Sequence, residues 1–322
     1  MKQFIVITLL ASAALSVNGQ NSIDAVMRSI EANNKELQAN NQLTVSKKLE
    51  AKLDNNLPDP SVSYVHQYGN REGMGIQGEL VASQSFDFPS VYVQKNKLAK
   101  SKAASFDRQG AEFRQQILLQ AKEICLDLVL LNQQRALLDQ RRQNAEQLAE
   151  LYAMRLETGD ANILETNKID LELLNAKTEA RMNESARIAK LQELATLNGG
   201  IAIDFTDTTY MSDGDILSFE ELCAEAVTSN PQLLTLKSEQ VAARRQLSVN
   251  KSKSLPSFEL GYRMNTATGG ERFNGFLVGI SIPLFSNRNN VKQAKAQALY
   301  TDLQLESTTT TVESELHQLY NQ

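Results

Sequence analysis

The chain passes through one order of elements twice, and a repeat of so long a period dictates the architecture. From Ser22 the order is amphipathic helix, Pro-Ser, alternating strand, Gly-rich turn, alternating strand and long helical hairpin; from Ser218 it restarts. At a constant offset of 196 residues, Ser22, Asn34, Leu37, Pro60, Ser61 and Ser90 fall on Ser218, Asn230, Leu233, Pro256, Ser257 and Ser286. So few identities are near chance; the shared order and hydrophobic phase carry the repeat. By the same offset Gln322 corresponds to Leu126, in mid-helix, so the second copy is expected to be truncated at its C-terminus. The expected plan is a signal peptide (1–19), a first repeat (20–198) with a β-hairpin at 61–88 and a long α-hairpin at 90–198, and a linker (199–217). An incomplete second repeat (218–322) completes it, with a β-hairpin at 257–284 and the start of a long helix.

Lys2, the apolar run from Phe4 to Val17 and the small-residue end Val17-Asn18-Gly19 read as a secretory signal. A retained membrane anchor is the alternative, but a spanning helix needs roughly 20 apolar residues and this run is shorter. The rest of the chain is polar. The protein is mildly acidic, with a formal net charge of −5, and lacks the basic stripe of a nucleic-acid binder. Cys125 and Cys223 are too few for a disulfide framework. Cys223 lies on the apolar stripe Phe219, Leu222, Cys223, Ala226 and is expected to be a buried thiol. His66 and His317 do not suggest a metal centre. No catalytic constellation, nucleophile elbow or Walker loop appears, so an enzyme is not expected, nor a cofactor.

The helical segments are unusually long. Ile23, Val26, Met27 and Ile30 make one helix face. Ser218-Phe-Glu-Glu221 opens the second copy with a capping box. Asn34 and Asn230 interrupt the pattern at matching places, the second followed by Pro231, which predicts a bend or helix restart. Ile117, Ile124, Leu131, Leu138, Ala145 and Tyr152 recur every seven residues, and a second row runs through Leu126, Leu130, Leu137, Leu148 and Leu151. One seam describes a two-stranded coiled coil; two let a helix pack on neighbours at both sides. Gln133, Gln134, Arg141 and Arg142 interrupt the rows with polar groups. Uninterrupted by Pro from 90 to 157, such a helix extends on the order of 100 Å at 1.5 Å per residue. The return helix, 163–198, is ended by Gly199-Gly200.

Two hairpins interrupt this material. Val62, Tyr64, His66 and Tyr68 share a face, joined through 69–73 to a strand over 78–88 with Leu80, Ala82, Phe86 and Phe88 together. In the second hairpin Phe258, Leu260, Tyr262 and Met264 oppose Ser257, Glu259, Gly261 and Arg263. Its return strand sets Phe276, Val278, Ile280 and Ile282 against Leu277, Gly279 and Ser281, after a turn at 269–272. Strands of about ten residues with one apolar face fit a transmembrane barrel or a half-buried soluble sheet. A sheet in lipid has no open edges, and bacterial barrels use at least eight strands. Four strands per chain therefore close only when several copies combine: two give eight, three give twelve.

Taken together, these residues resemble the TolC family of outer-membrane efflux ducts, whose layout is helices, β-hairpin and long α-hairpin, twice over; the resemblance spans 22–322. Arg155-Leu156-Glu157-Thr158-Gly159-Asp160, followed by Ile163-Leu164-Glu165, is similar to the family's hairpin tip, although 167–174 replaces the usual Ala-Gln or Ala-Arg segment. Ile280-Ser-Ile-Pro-Leu-Phe-Ser286, with Asn287-Arg288 behind it, is similar to the family's strand-to-helix passage and leans towards its cobalt-zinc-cadmium and copper branch. The resemblance implies a fold that is mainly α with β-hairpins and a homotrimer with a β-barrel and a periplasmic α-barrel. It implies passive conduction through the outer membrane of a Gram-negative bacterium. The partners it implies are outer-membrane lipid, a periplasmic membrane-fusion adaptor and an inner-membrane pump of the resistance-nodulation-division type.

On that footing Arg155, Leu156, Thr158, Gly159 and Asp160 are the expected adaptor-contacting tip; read alone, Thr158-Gly159-Asp160 is ordinary turn chemistry. Tyr64, Phe86, Phe258, Leu260, Tyr262, Phe276, Val278, Ile280 and Ile282 are expected to face lipid, and Glu259 and Arg263 to line the pore. Lys95, Lys97, Lys100 and Lys102, with Arg288, Lys292 and Lys295, lie just beyond the strands, either near a lipid boundary or on a solvated helix face. The rival reading is a secreted coiled-coil structural or periplasmic adaptor protein with a soluble β domain.

Overall fold

The structure, a computed structural model, describes residues 22–210, 217–285 and 287–321. The expected signal peptide lies outside the described residues. The chain divides into two compact units, Met1–Lys35 with Ile117–Ser212, and Glu36–Gln116 with Asp213–Gln322.

The first unit contains α1 (Ser22–Asn33), the later part of α3 (Pro89–Glu157) and α4 (Ile163–Leu197). The α1 stripe is buried at Ile23, Val26 and Ile30. On α3 the core is Ile117, Ala121, Ile124, Cys125, Leu128 and Val129, joined by Ala176 and Leu194 of α4. Of the two rows, the one through Ile117, Ile124 and Ala145 is buried here, while Leu130, Leu137, Leu148 and Leu151 stay exposed. The polar interruptions form cross-helix ties. Arg141 meets Glu172 and Glu179 at 2.6 Å each, Asn183 donates to Gln134 (3.2 Å), and Lys190 meets Asp127 (3.0 Å). The exposed ion pairs among them each contribute about 0–1 kcal/mol, so they set register more than stability.

Helix α4 ends as the paired glycines require, with Gly199 and Gly200 at φ +69° and +88° and the Gly200 amide bonded to the Ala195 carbonyl. A Cβ on Gly199 would lie 2.5 Å from the Asn33 carbonyl oxygen. Buried Asn198 accepts from Ser29 (2.9 Å) and Asn33 (3.1 Å), and Asn34 donates to the Leu197 carbonyl (2.7 Å), fastening the end of α1 to that of α4. In the expected linker Phe205 is fully buried, and Asn132 donates to the carbonyls of Phe205 (3.3 Å) and Asp207 (3.0 Å).

Cys125 is fully buried, and that burial, with Asp207 second, pushes its thiol up to about 12. Since the thiolate is the nucleophile, Cys125 is expected to resist iodoacetamide at pH 8 in the native protein and to react only after unfolding. Peptide mass spectrometry checks this, and native-state labelling at Cys125 contradicts it. Cys223, expected to be buried, is only half-buried. Its helix packs on one side, through Phe219 against His317 (5.1 Å) and Tyr320 (5.6 Å).

The second unit holds α2 (Lys35–Leu53), the start of α3, α5 (Phe219–Ser229), α6 (Pro231–Ser252), α7 (Arg288–Tyr320) and a four-stranded antiparallel sheet. Both expected interruptions are helix boundaries, α1 ending before Asn34 and α5 before Asn230. Asn230 caps α6 by accepting from the Leu233 amide (3.1 Å), with Pro231 at the first helical position. The Ser218–Glu221 capping box forms and holds the Glu221 carboxyl below its usual range. Helices α6 and α7 pack through Val249, Ala294 and Ala298, and Asn250 donates to the Asn290 carbonyl (3.0 Å).

The sheet runs β1 (Ser61–Tyr68), β2 (Ile76–Phe86), β3 (Ser257–Thr266), β4 (Arg272–Ser281), in that spatial order. The β2–β3 ladder thus joins the two repeats edge to edge. The turns differ from expectation. Strand β2 begins at Ile76, not 78, because Gly69 bonds to the Gly75 carbonyl and Thr268 Oγ1 accepts from the Ile76 amide, which carries the ladder further. Arg272, expected in the turn, opens β4, since Ala267 closes on the Glu271 carbonyl. Phe88 and Ile282 fall just past the ends of β2 and β4.

Candidate functional site

Two features stand out, one in each unit. The first is the face of the sheet. The register aligns Val62, Ala82, Tyr262 and Phe276 in one row across all four strands. Below it come Gln84, Leu260 and Val278, then Phe86, Phe258 and Ile280; above it lie Tyr64, Leu80, Met264 and Asn274. Two separately derived alternations therefore share one phase. This face is bare: Phe276 is 93% exposed, Val62 72% and Val278 71%, and Tyr64, Leu260, Tyr262, Ile280 and Ile282 are exposed too. Phe86 and Phe258 are half-buried, the latter beside Phe88 at 6.2 Å between ring centroids. A contiguous bare apolar surface of this kind marks an interaction site.

The other face is mixed: Ser61, Ser83, Gly261 and Leu277 make one row and Ser85, Glu259 and Gly279 another, while Val65, Glu79, Asn265 and Phe273 lie towards the turns. Arg263 and Glu259 share it, and Arg263 pairs with Glu79 of β2 at 2.5 Å. Glu79 was not singled out from sequence, although its alternation with Leu80 carried the signal. Strands β1 and β4 each pair on one side only among the described residues.

The second feature is the turn between α3 and α4. Gly159 adopts φ +79°, the conformation that favours glycine, and the Asp160 and Ala161 amides both donate to the Arg155 carbonyl. Thr158 Oγ1 donates to Asp160 Oδ2 (3.1 Å), and the Arg155 guanidinium sits 5.3 Å from the Tyr152 ring centre. All five expected tip residues thus meet in one tight turn. Sequence reasoning missed Asn162, whose side chain accepts from the Glu165 amide (2.9 Å) in a reciprocal capping box at the start of α4. It also favoured Leu156, which is half-buried; Leu164, 69% exposed, is the most exposed apolar group near the turn, with Ile163 and Met154 also exposed.

A cavity of about 630 Å³ lies between α2, α3, α6 and α7 of the second unit, lined by Lys47, Asp54, Lys102, Phe106, Glu239 and Thr301 among others. Lys47 sits over the Phe106 ring, and Gln109 donates to Glu239 (2.7 Å). No helix among the described residues is long and apolar enough to cross a membrane, and no group of His, Cys, Asp or Glu among them is placed to hold a metal ion.

Residues 222–322 match the family model for outer membrane efflux proteins. No curated protein sequence matches the chain. Solved structures share its fold at low identity. The outer-membrane channel OprN superposes with a TM-score of 0.72 at 13% identity, covering 91% of this chain and 72% of that one. The outer membrane channel CmeC of Campylobacter jejuni gives 0.70 at 15%, covering 90% and 68%. The outer membrane protein VceC of Vibrio cholerae gives 0.68 at 14%, covering 90% and 75%. The fold is therefore the one that these channel structures share, mainly helical with a small antiparallel sheet.

Proposed function

We propose that this chain is an outer membrane efflux protein of the TolC type, the outer-membrane duct of a tripartite efflux system; its fold and the match of residues 222–322 support the reading. The observation that carries this reading is a four-stranded sheet with one bare apolar face, a second face that carries Glu79, Glu259 and Arg263, and two edges that pair with no strand among the described residues. Each unpaired backbone group in hydrocarbon costs several kcal/mol, so the edges are paired in a membrane. Three copies, as in TolC-type trimers, close a twelve-stranded barrel by joining β4 of one protomer to β1 of the next. Tyr64, Phe86, Phe258, Leu260, Tyr262, Phe276, Val278, Ile280 and Ile282 then face lipid, and Glu259, Arg263 and Glu79 face the pore.

In this reading the helices lie in the periplasm, and the exposed row Leu130, Leu137, Leu148, Leu151 packs against a neighbouring protomer. The duct is passive. Small solutes are driven by an inner-membrane pump reached through an adaptor, and a heavy-metal cargo draws support from the Pro283–Phe285 passage alone. A secreted structural or adaptor protein would have to cover the apolar face with its own chain, and no described segment does so.

The turn around Gly159 is the proposed adaptor contact. Leu164→Asp tests it more cleanly than Leu156→Asp, because Leu164 is already exposed. The variant is expected to leave outer-membrane oligomers intact while adaptor affinity falls about tenfold or more, as at an interface hot spot. Cross-linking and efflux assays read the result, and normal values of both in Leu164→Asp and Leu156→Asp contradict the assignment.

A further inference from the structure

We propose that the strand-proximal start of α7 is a binding surface for the anionic headgroups of phospholipids in the periplasmic leaflet; the inference rests on the outer-membrane reading above. Directly after β4 the chain presents Leu284, 73% exposed, and Phe285, 90% exposed. They lie three and four residues beyond Ser281, the last ladder residue of β4. Arg288, Lys292 and Lys295 then come at helical spacing, all exposed, on a flank of α7 beside its buried residues Ala294 and Ala298. None of the three has an ion-pair partner among the described residues, and no acid occurs between Ile282 and Asp302. Apolar anchors at a strand end, with cations one to two helical turns further on, match the boundary between acyl chains and phosphates.

The matching place in the first repeat supports the same partner. Lys97 and Lys100 are exposed and likewise without an ion-pair partner among the described residues, and no acid lies between Asp87 and Asp107. Lys95 is different, because it is spent on Asp87 at 2.9 Å. In a chain of formal net charge −5, cations concentrated beside the strands select an anionic surface. A solvated helix face accounts for the lysines but not for a phenylalanine and a leucine left bare beside them.

The test uses the oligomer extracted from outer membranes in non-ionic detergent. It is incubated at low salt with dioleoyl phosphatidylglycerol or dioleoyl phosphatidylcholine, and retained lipid is counted by native mass spectrometry. The wild type is expected to retain phosphatidylglycerol about tenfold better, and R288Q/K292Q/K295Q to lose that preference with unchanged oligomer mass and Tm. Equal retention of the two lipids by the wild type, or a preference that survives the triple substitution, overturns the proposal. So does a triple variant whose oligomer dissociates, which would place the cations against a neighbouring protomer. Absence of any detergent-stable oligomer in the wild type overturns the channel reading, and this proposal with it.

Discussion

Phe276→Arg is expected to abolish outer-membrane assembly, whereas Leu277→Arg, one residue further along β4, is expected to leave it intact. Successive side chains of a strand point to opposite faces. Phe276 stands in the apolar row with Val62, Ala82 and Tyr262; Leu277 stands on the opposite face with Ser61, Ser83 and Gly261. An arginine facing lipid near the midplane of a barrel costs about 2–4 kcal/mol, and the proposed trimer carries it three times over. A lumen-facing arginine keeps its hydration. Outer-membrane fractionation with unheated gel electrophoresis reads both variants together. Equal amounts of oligomer for the two would contradict the assignment of faces.

Phe205→Ala is expected to give the largest loss of protomer stability. The ring is fully buried although its segment belongs to no helix or strand. It anchors that segment beside Asn132, and Gln133 adds a bond to the Thr208 carbonyl (2.6 Å). Truncating a buried phenylalanine costs about 3–5 kcal/mol, a large share of the 5–15 kcal/mol that typically holds a domain. Phe205→Leu, which keeps most of the volume, should cost far less. Thermal unfolding of the purified protein measures both, and an alanine variant with an unchanged Tm would show that the segment is not fastened there.

Features with a period were legible in the sequence. Alternation at 2.0 residues located four strands and grouped the residues that share a face as the register has them, because a one-residue slip would have reversed every side chain. The matched breaks at Asn34 and Asn230 and the glycine ends at Gly159 and Gly199 were legible because each has a local backbone cause. What escaped depends on partners distant in sequence. The start of β2 is set by Thr268, nearly two hundred residues away. The Arg263–Glu79 pair joins strands of different repeats. Phe205 sits in a segment with no periodicity, so only its burial reveals it. Cys223 lies on a genuine apolar stripe whose helix is packed on one side, and a stripe alone does not say how completely it is covered. At the turn, spacing located the glycine but could not say that Leu164 rather than Leu156 would be the more exposed.

The most direct test of the account is the protein mass of the particle extracted from outer membranes, measured by light scattering with the detergent contribution subtracted. Closure of a twelve-stranded barrel from four-stranded protomers predicts three copies, resistant to detergent and dissociated by heat. A monomer recovered from the periplasm without detergent would contradict it.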